Sequence, residues 1–202
     1  MSGGSSPLPS AAPLAVLDAS PYACFVLSES LDITYCNVAW DRFAREQGGT
    51  AAVMARNIVG KNLLDFVPTD LKSFYREMID RVRAQGRPIG HDYECSSASV
   101  FRLYHLQVYP LKSGSGFVVE NSLRVEHPHD RVAREPHDAL YSDTNGFIVC
   151  CANCRRTRRA TDPTIWDWVP AYLESKLLNI SHGVCPLCLE FYYRPVIKTW
   201  AA

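Results

Sequence analysis

Two short cysteine repeats near the C-terminus constrain the fold more than any other feature of the chain. Cys151 and Cys154 form one Cys-x-x-Cys pair, and Cys185 and Cys188 form a second, with residues 155–184 between them. Zn²⁺ in structural sites takes four tetrahedral ligands, and each pair can point two thiolates at one ion. A segment this small buries too little apolar surface to fold alone, so a metal would supply the missing folding energy. The spacing therefore predicts a metal site made by these four cysteines, with zinc as the metal.

Other uses of the cysteine pairs stay open. A c-type haem needs His directly after the second cysteine, but Arg155 and Leu189 stand there. A thiol oxidoreductase uses one pair at the start of a helix, which leaves the second pair unexplained. Iron in a rubredoxin-like site is the nearest alternative metal, although such sites usually carry glycine after the second cysteine. Unliganded core cysteines are the remaining interpretation. His182 precedes Cys185 by three residues, and we expect it to support the ligands from outside the coordination sphere.

The composition indicates a soluble globular protein with no net charge. The 202 residues include 21 Lys and Arg against 21 Asp and Glu, and 47% are hydrophobic. Overall charge therefore does not attract nucleic acid or an anionic membrane. The N-terminus lacks the basic and apolar regions of a signal peptide, and no apolar run approaches the roughly 20 residues needed to span a bilayer. We expect a cytoplasmic protein, in which the eight cysteines stay mostly reduced.

The hydrophobic pattern of residues 22–126 predicts strands and helices in a fixed order. The stretches CFVL and ITYC read as two strands, and Asn37 is placed to cap a helix that follows. Residues 70–85 have the spacing of one buried helical face, and three strand-like stretches come after them. Two strands, helices and three further strands predict an α+β fold, in which a five-stranded antiparallel sheet carries helices on one face.

The same region resembles the PAS domain family. The resemblance is carried by FVLSESLDITYCNVAW, by NIVGKNLLDFVP before the long helix, and by the three-strand return. It implies a sensory and dimerisation domain whose sheet and helices enclose a small cavity. We accordingly expect a homodimer. The candidate lining residues of a small-molecule cavity are Trp40, Phe74, Tyr75 and Tyr104, and plain apolar core is the alternative interpretation of this aromatic set. The long helix lacks the axial His of haem-binding members, and the reactive-cysteine segment of flavin-binding members is absent from the sequence, so neither cofactor is expected.

The C-terminal stretches CANCRRTR, WDWVPAYL and SHGVCPLCLEFYY resemble a small cysteine module found on bacterial signalling proteins. We expect the apolar cap of its metal site to consist of Trp166, Trp168, Tyr172 and Leu173. The predicted organisation is a disordered lead (1–13), a PAS-like sensor domain (14–126), a linker (127–144) and a zinc-ribbon-like cysteine module (145–202).

A run of four arginines follows the first cysteine pair and is the one patch suited to phosphate: Arg155, Arg156, Arg158 and Arg159. The favoured interpretation is a solvated basic segment that balances an anionic metal centre, so nucleic acid is not expected as a partner.

The sequence holds no phosphate-binding glycine loop, nucleophile elbow or kinase signature. It predicts a non-catalytic bacterial signal-transduction protein, whose PAS-like sensing domain is coupled to a structural zinc module that contacts a partner protein. The alternatives are a transcriptional regulator that binds DNA through the arginines, and a thiol oxidoreductase.

Overall fold

The structure is a computed structural model that describes residues 11–112, 115–174 and 179–201. Its first sheet contains five antiparallel strands in the order β2-β1-β5-β4-β3, and the predicted α+β fold with a PAS-like sheet is confirmed. The elements are α1 (Ala11–Ala19), β1 (Ala23–Leu27), β2 (Ile33–Cys36), α2 (Val38–Glu46), α3 (Ala55–Ile58), α4 (Lys72–Gln85), β3 (Ile89–Glu94), β4 (Val100–Pro110) and β5 (Phe117–Pro128). Of the predicted lead, residues 1–10 lie outside the described residues, and residues 11–13 belong to α1.

Strand β1 is the most completely buried strand of this sheet. All five of its residues are buried, and it pairs antiparallel with β2 on one side and with β5 on the other. Phe25 therefore lies opposite both Cys36 and Val119. A strand that is flanked on both sides and covered on both faces reads as a continuous apolar run, which is how CFVL appears in the sequence.

A second, smaller sheet lies in the cysteine-containing region, with the strand order β8-β7-β6-β9. Its strands are β6 (Ile148–Cys151), β7 (Thr157–Arg158), β8 (Trp166–Asp167) and β9 (Ile180–Gly183). The helices of this region are α5 (Asp138–Tyr141), α6 (Ala171–Glu174), α7 (Pro186–Cys188) and α8 (Arg194–Ala201), with the π-helical turn Leu189–Tyr193 between the last two. Among the described residues, no helix is both long and apolar enough to cross a bilayer.

The chain divides into two compact units that are not simple halves of the sequence. The first contains the residues up to Val67, Tyr75–Gly90 and His105–Ser122, and its core includes Leu27, Met78 and Val119. The second contains Pro68–Phe74, His91–Tyr104 and the residues from Leu123 onward. The second unit thus combines β3 and the start of β4 with the cysteine region. The domain boundaries at residues 126 and 144 stay a prediction.

Gly116, at the start of β5, occupies a position that only glycine fits. Its φ is +141°, and a Cβ there would lie 2.0 Å from the carbonyl oxygen of Leu27.

We expect Gly116→Ala to lower the free energy of unfolding by about 2 kcal/mol or more, because the added methyl group meets backbone and not a movable side chain. Gly86→Ala is the matched control, since Gly86 has φ +63° but open space around it. That variant should lose about 1 kcal/mol. Equal losses in urea denaturation would contradict the prediction.

Candidate metal centre

A parallel strand pair brings the two cysteine repeats together. Strand β6 ends at Cys151, and β9 ends at Gly183, two residues before Cys185. The two strands pair in parallel with Cys151 opposite Gly183, so both chains leave the sheet at the same edge. The Ala152 N–H then donates to the Gly183 carbonyl at 2.8 Å, which extends the pairing into the first turn. The register therefore places each Cys-x-x-Cys turn beside the other.

The four cysteines form one buried cluster. Their sulfur atoms all lie within 4.8 Å of one another, and the Sγ atoms of Cys154 and Cys185 are 3.6 Å apart. A tetrahedral Zn²⁺ with Zn–S bonds of about 2.3 Å has sulfur–sulfur edges of about 3.8 Å. All eight cysteines of the chain are free thiols, so no disulfide accounts for the short distances. The donor set and spacing fit a tetrahedral metal ion.

Backbone N–H groups point at two of the sulfurs. The Cys185 N–H donates to Cys151 Sγ at 3.4 Å, and the Cys188 N–H donates to Cys185 Sγ at the same distance. Cys185 is the N-cap of α7, and Pro186 fills the first helical position, where its missing N–H costs nothing. Hydrogen bonds of this kind favour the charged thiolate over the thiol. The backbone is thus arranged for anionic sulfur before any metal is considered.

The four thiols of the cluster differ in the direction in which their pKa values are shifted. Hydrogen bonds from the other three thiols, that of Cys154 first, hold the pKa of Cys151 well below its usual range. The hydrogen bond with Cys151 raises the pKa of Cys154, but those with Cys185 and Cys188 outweigh it and bring that pKa to about 7. Hydrogen bonding to Cys151 raises the pKa of both Cys185 and Cys188. A cation bound among the four sulfurs would favour the thiolate form of all of them.

The arginine run has specific partners within the protein. Arg159 forms a two-pronged ion pair with Asp167, with nitrogen–oxygen distances of 2.6 and 3.2 Å. Burial lowers the pKa of Arg156, but the charge of Cys154 and a hydrogen bond to it outweigh burial and raise that pKa overall. Arg155 donates from Nε to the carbonyl of Ser96 at 3.1 Å. Three of the four guanidinium groups are thus directed at the protein itself.

Arg155 also has an unusual backbone. Its φ is +62°, in the left-handed region, at the position directly after Cys154. An ordinary side chain there costs about 1 kcal/mol relative to glycine. The turn closes through Cys151, whose carbonyl accepts from the Arg155 N–H and whose N–H donates to the Arg156 carbonyl. Glycine would relax this turn, but Arg155 occupies the position. Its side chain makes the hydrogen bond to Ser96.

The predicted apolar cap is partly wrong. Trp166 packs against the four cysteines as expected, together with Val184 and Tyr192. Tyr172 and Leu173 belong instead to a separate core with Tyr141, Ile148, Cys150 and Val169. Trp168 packs against the imidazole ring of His129 and the guanidinium group of Arg131. The cause is the pleat of β6: Cys150 and Cys151 point to opposite faces, and each face has its own apolar cover.

The remaining predicted site residues lie apart from the cysteine cluster. His182 is on β9 opposite Cys150, and its side chain is exposed. Trp40 packs against Phe25 and Phe43 and donates from its indole nitrogen to the Val53 carbonyl. Phe74 packs against His91, Tyr193 and Trp200, whereas Tyr104 stacks on Tyr93. Tyr75 is half-buried on α4. The supporting role of His182 and the small-molecule cavity stay predictions.

Comparison with known proteins gives structural neighbours only. No protein-family model and no curated protein matches the chain. Among solved structures, the PAS domain of BvgS from Bordetella pertussis is 17% identical over 56% of this chain and 84% of its own, with a TM-score of 0.43. A domain of an HTR-like protein from Haloarcula marismortui is 18% identical over 52% of this chain and all of its own, with a TM-score of 0.39. VqmA from Vibrio cholerae, in a complex with ligand and DNA, is 13% identical over 57% of this chain and 51% of its own, with a TM-score of 0.42.

Proposed function

We propose that this chain is a non-catalytic signal-transduction protein, in which a PAS-like sensing domain is coupled to a structural zinc module that contacts a partner protein. The observation that carries the proposal is the cluster of four buried cysteine sulfurs within 4.8 Å of one another. Cys151, Cys154, Cys185 and Cys188 would hold the ion, which would supply folding energy to a region with little apolar core of its own. Because these ligands must stay reduced, we place the protein in the cytoplasm.

A structural role suits this cluster better than thiol exchange. An exchanging cysteine needs an accessible sulfur and a lowered pKa. All four cysteines are buried, with Cys151 and Cys154 at 0%, Cys185 at 1% and Cys188 at 2% exposure, so none offers an accessible sulfur. Closed four-cysteine sites of this kind have no open coordination position for a substrate. The proposed zinc therefore holds the fold and carries out no reaction.

A protein partner also suits the surface better than DNA. Phosphate binding needs guanidinium groups that are free to leave the protein, but Arg155 and Arg159 are engaged with Ser96 and Asp167. The C-terminal helical run instead exposes apolar side chains, with Leu187 at 60% and Phe191 at 70%. These two residues are four positions apart, so they lie on one helical face. We assign the partner contact to the zinc module, and sensing and dimerisation to the PAS-like domain.

Elemental analysis of the purified chain tests the zinc proposal. We expect about one zinc per chain and a colourless protein, because iron in a four-cysteine site absorbs visible light. Native mass spectrometry of the same sample would report the metal, the predicted dimer and any retained small molecule. A chain that is folded and free of metal, or one whose four cysteines form disulfides, would overturn the proposal.

A further inference from the structure

The turn between β3 and β4 is hydrogen-bonded to the first cysteine turn of the candidate metal centre. We call Cys95–Ser99 the hairpin turn and Cys151–Arg155 the cysteine turn. The Ser96 N–H donates to the Asn153 carbonyl at 3.3 Å, and the Ser96 carbonyl accepts from Arg155 Nε at 3.1 Å. Ser96 is 1% exposed and Asn153 is 4% exposed. The two turns thus share a pair of hydrogen bonds, one in each direction.

A buried ion pair reinforces the same junction. Arg131 donates to the Glu94 carboxylate at 2.6 Å and to the Cys154 carbonyl at 2.7 Å. The Ser96 hydroxyl donates to that carboxylate as well. The side chains of Glu94 and Arg131 are 5% and 13% exposed, and the Arg131 guanidinium lies 5.1 Å from the ring centre of Trp168. Glu94 ends β3, so this charge network links the last residue of a sheet strand to the backbone of a cysteine that binds the proposed metal.

The left-handed backbone of Arg155 gives an independent indication that the junction matters. Glycine would relax the cysteine turn, yet arginine stands there, and its side chain reaches Ser96. Strained positions of this kind persist only where the surrounding contacts hold them. The contact with the hairpin turn offsets this strain. The conformation of the cysteine turn is therefore determined by its contact with the hairpin turn as well as by the positions of its sulfur atoms.

From these contacts we infer that metal occupancy of the four cysteines controls the conformation of the hairpin turn, so that the metal centre and the end of β3 switch as one cooperative element. This inference rests on the proposed metal binding and adds regulation to it. When the metal leaves, the cysteine turn loses the geometry that aims the Asn153 and Cys154 carbonyls at Ser96 and Arg131. In the other direction, a displacement of β3 weakens metal binding by the same factor, because coupling between two sites is reciprocal.

Arg155→Gly tests the inference, because two explanations of Arg155 predict opposite signs. If the residue serves the cysteine turn alone, glycine relieves strain and the chain holds zinc equally or more tightly. If the hairpin turn is coupled to the metal, the variant loses the Ser96 contact, and zinc affinity falls about tenfold, a value typical of coupled sites. Affinity would be measured on the zinc-loaded full chain by competition with a chromophoric chelator. Arg158→Ala is the matched control, since it removes a neighbouring positive charge outside the junction and should leave affinity unchanged.

Hydrogen exchange reports the other direction of the coupling, because removal of zinc by a chelator should speed the exchange of the residue 95–100 amides about tenfold in the unmodified chain. With zinc bound, we expect the backbone amides of residues 95–100 to exchange about tenfold faster in Arg155→Gly than in the unmodified chain or Arg158→Ala. The amides of β1 serve as an internal reference and should not change. Unaltered zinc affinity and unaltered exchange at residues 95–100 in Arg155→Gly would overturn the inference while leaving the proposed zinc site intact. A chain without any zinc would instead refute the proposed function.

Discussion

Cys151→Ser is expected to abolish zinc binding and to unfold the C-terminal region of the chain. Cys151 is fully buried, its Sγ accepts the Cys185 N–H, and its pKa is the most strongly lowered of the cluster by the thiols around it. A serine hydroxyl stays protonated near neutral pH and is a poor zinc ligand. The remaining three thiols would then surround an incomplete site.

The size of the effect follows from how little else stabilises this region. Structural zinc contributes about 10–16 kcal/mol of apparent binding free energy in small zinc-binding peptides. The apolar core beside the site is centred on five buried residues: Tyr141, Ile148, Cys150, Val169 and Tyr172. A cluster of that size does not stabilise a fold of this length alone. We therefore expect the amides of β6 and β9 to lose protection from hydrogen exchange, while those of β1 and β2 keep theirs.

Cys150→Ala is the matched control for this prediction. Cys150 is adjacent to Cys151 and equally buried, but it points to the opposite face of β6 and contacts Thr157. The variant should keep one zinc per chain and lose about 1–2 kcal/mol through a small cavity. If Cys151→Ser retained zinc, or if both variants lost it equally, the four-cysteine site would be wrong.

The cysteine site shows what spacing in a sequence can predict. Two Cys-x-x-Cys pairs suffice to predict that Cys151, Cys154, Cys185 and Cys188 converge, because a tetrahedral ion needs two such turns. The parallel pairing of β6 with β9 is what brings them together, and its short strands carry no periodic signal. Trp166, which lies between the two pairs, belongs to the apolar cover as predicted, whereas no sequence pattern singles out Val184 and Tyr192. Because successive residues of a strand point to opposite faces, Cys150 and Cys151 belong to two different cores, and this alternation can be read from the sequence.

The junction at Ser96 was beyond sequence reasoning for a different reason. Arg131 lies in a polar stretch with no periodicity, and such a stretch reads as a linker. Its partners Glu94 and Cys154 are 37 and 23 residues away, so no local pattern connects them. A buried ion pair of this kind is visible only after the chain has folded. The backbone of Arg155 is likewise a product of the tertiary contact, since local preference alone would place glycine there.

Asn37→Ala is expected to be strongly destabilising, and the sequence indicates only part of the reason. Asn37 was predicted as the N-cap of α2, and its Oδ1 does accept the Trp40 N–H at 3.1 Å. The same oxygen accepts the Cys24 N–H of β1 at 3.0 Å. Its amide nitrogen donates to the carbonyls of Leu17 and Tyr22 at 2.8 and 2.9 Å. One side chain, 1% exposed, thus ties α1, β1 and α2 together.

Removing the Asn37 amide should lower the free energy of unfolding by about 3–4 kcal/mol, of which about 1 is the lost cap and the rest is the cost of orphaned buried backbone groups. Thr50→Ala is the matched control, because Thr50 caps an exposed turn through a single 3.4 Å hydrogen bond to Ala52. That variant should lose about 0.5 kcal/mol.

Asn37→Asp separates the two roles of the side chain. A carboxylate can still cap α2, but it cannot donate to the Leu17 and Tyr22 carbonyls and would face them with a buried charge. If Asn37 acts only as a cap, this variant is nearly neutral in urea denaturation. We expect it instead to lose at least half as much as Asn37→Ala at pH 7, and to recover stability as the pH falls and the carboxyl group becomes protonated. The sign follows because burial raises the pKa of a carboxyl in the folded state, so stability is lost as the pH rises above its unfolded value. A neutral, pH-independent Asn37→Asp would show that the accepting oxygen of Asn37, which serves the Trp40 and Cys24 N–H groups, makes the whole contribution.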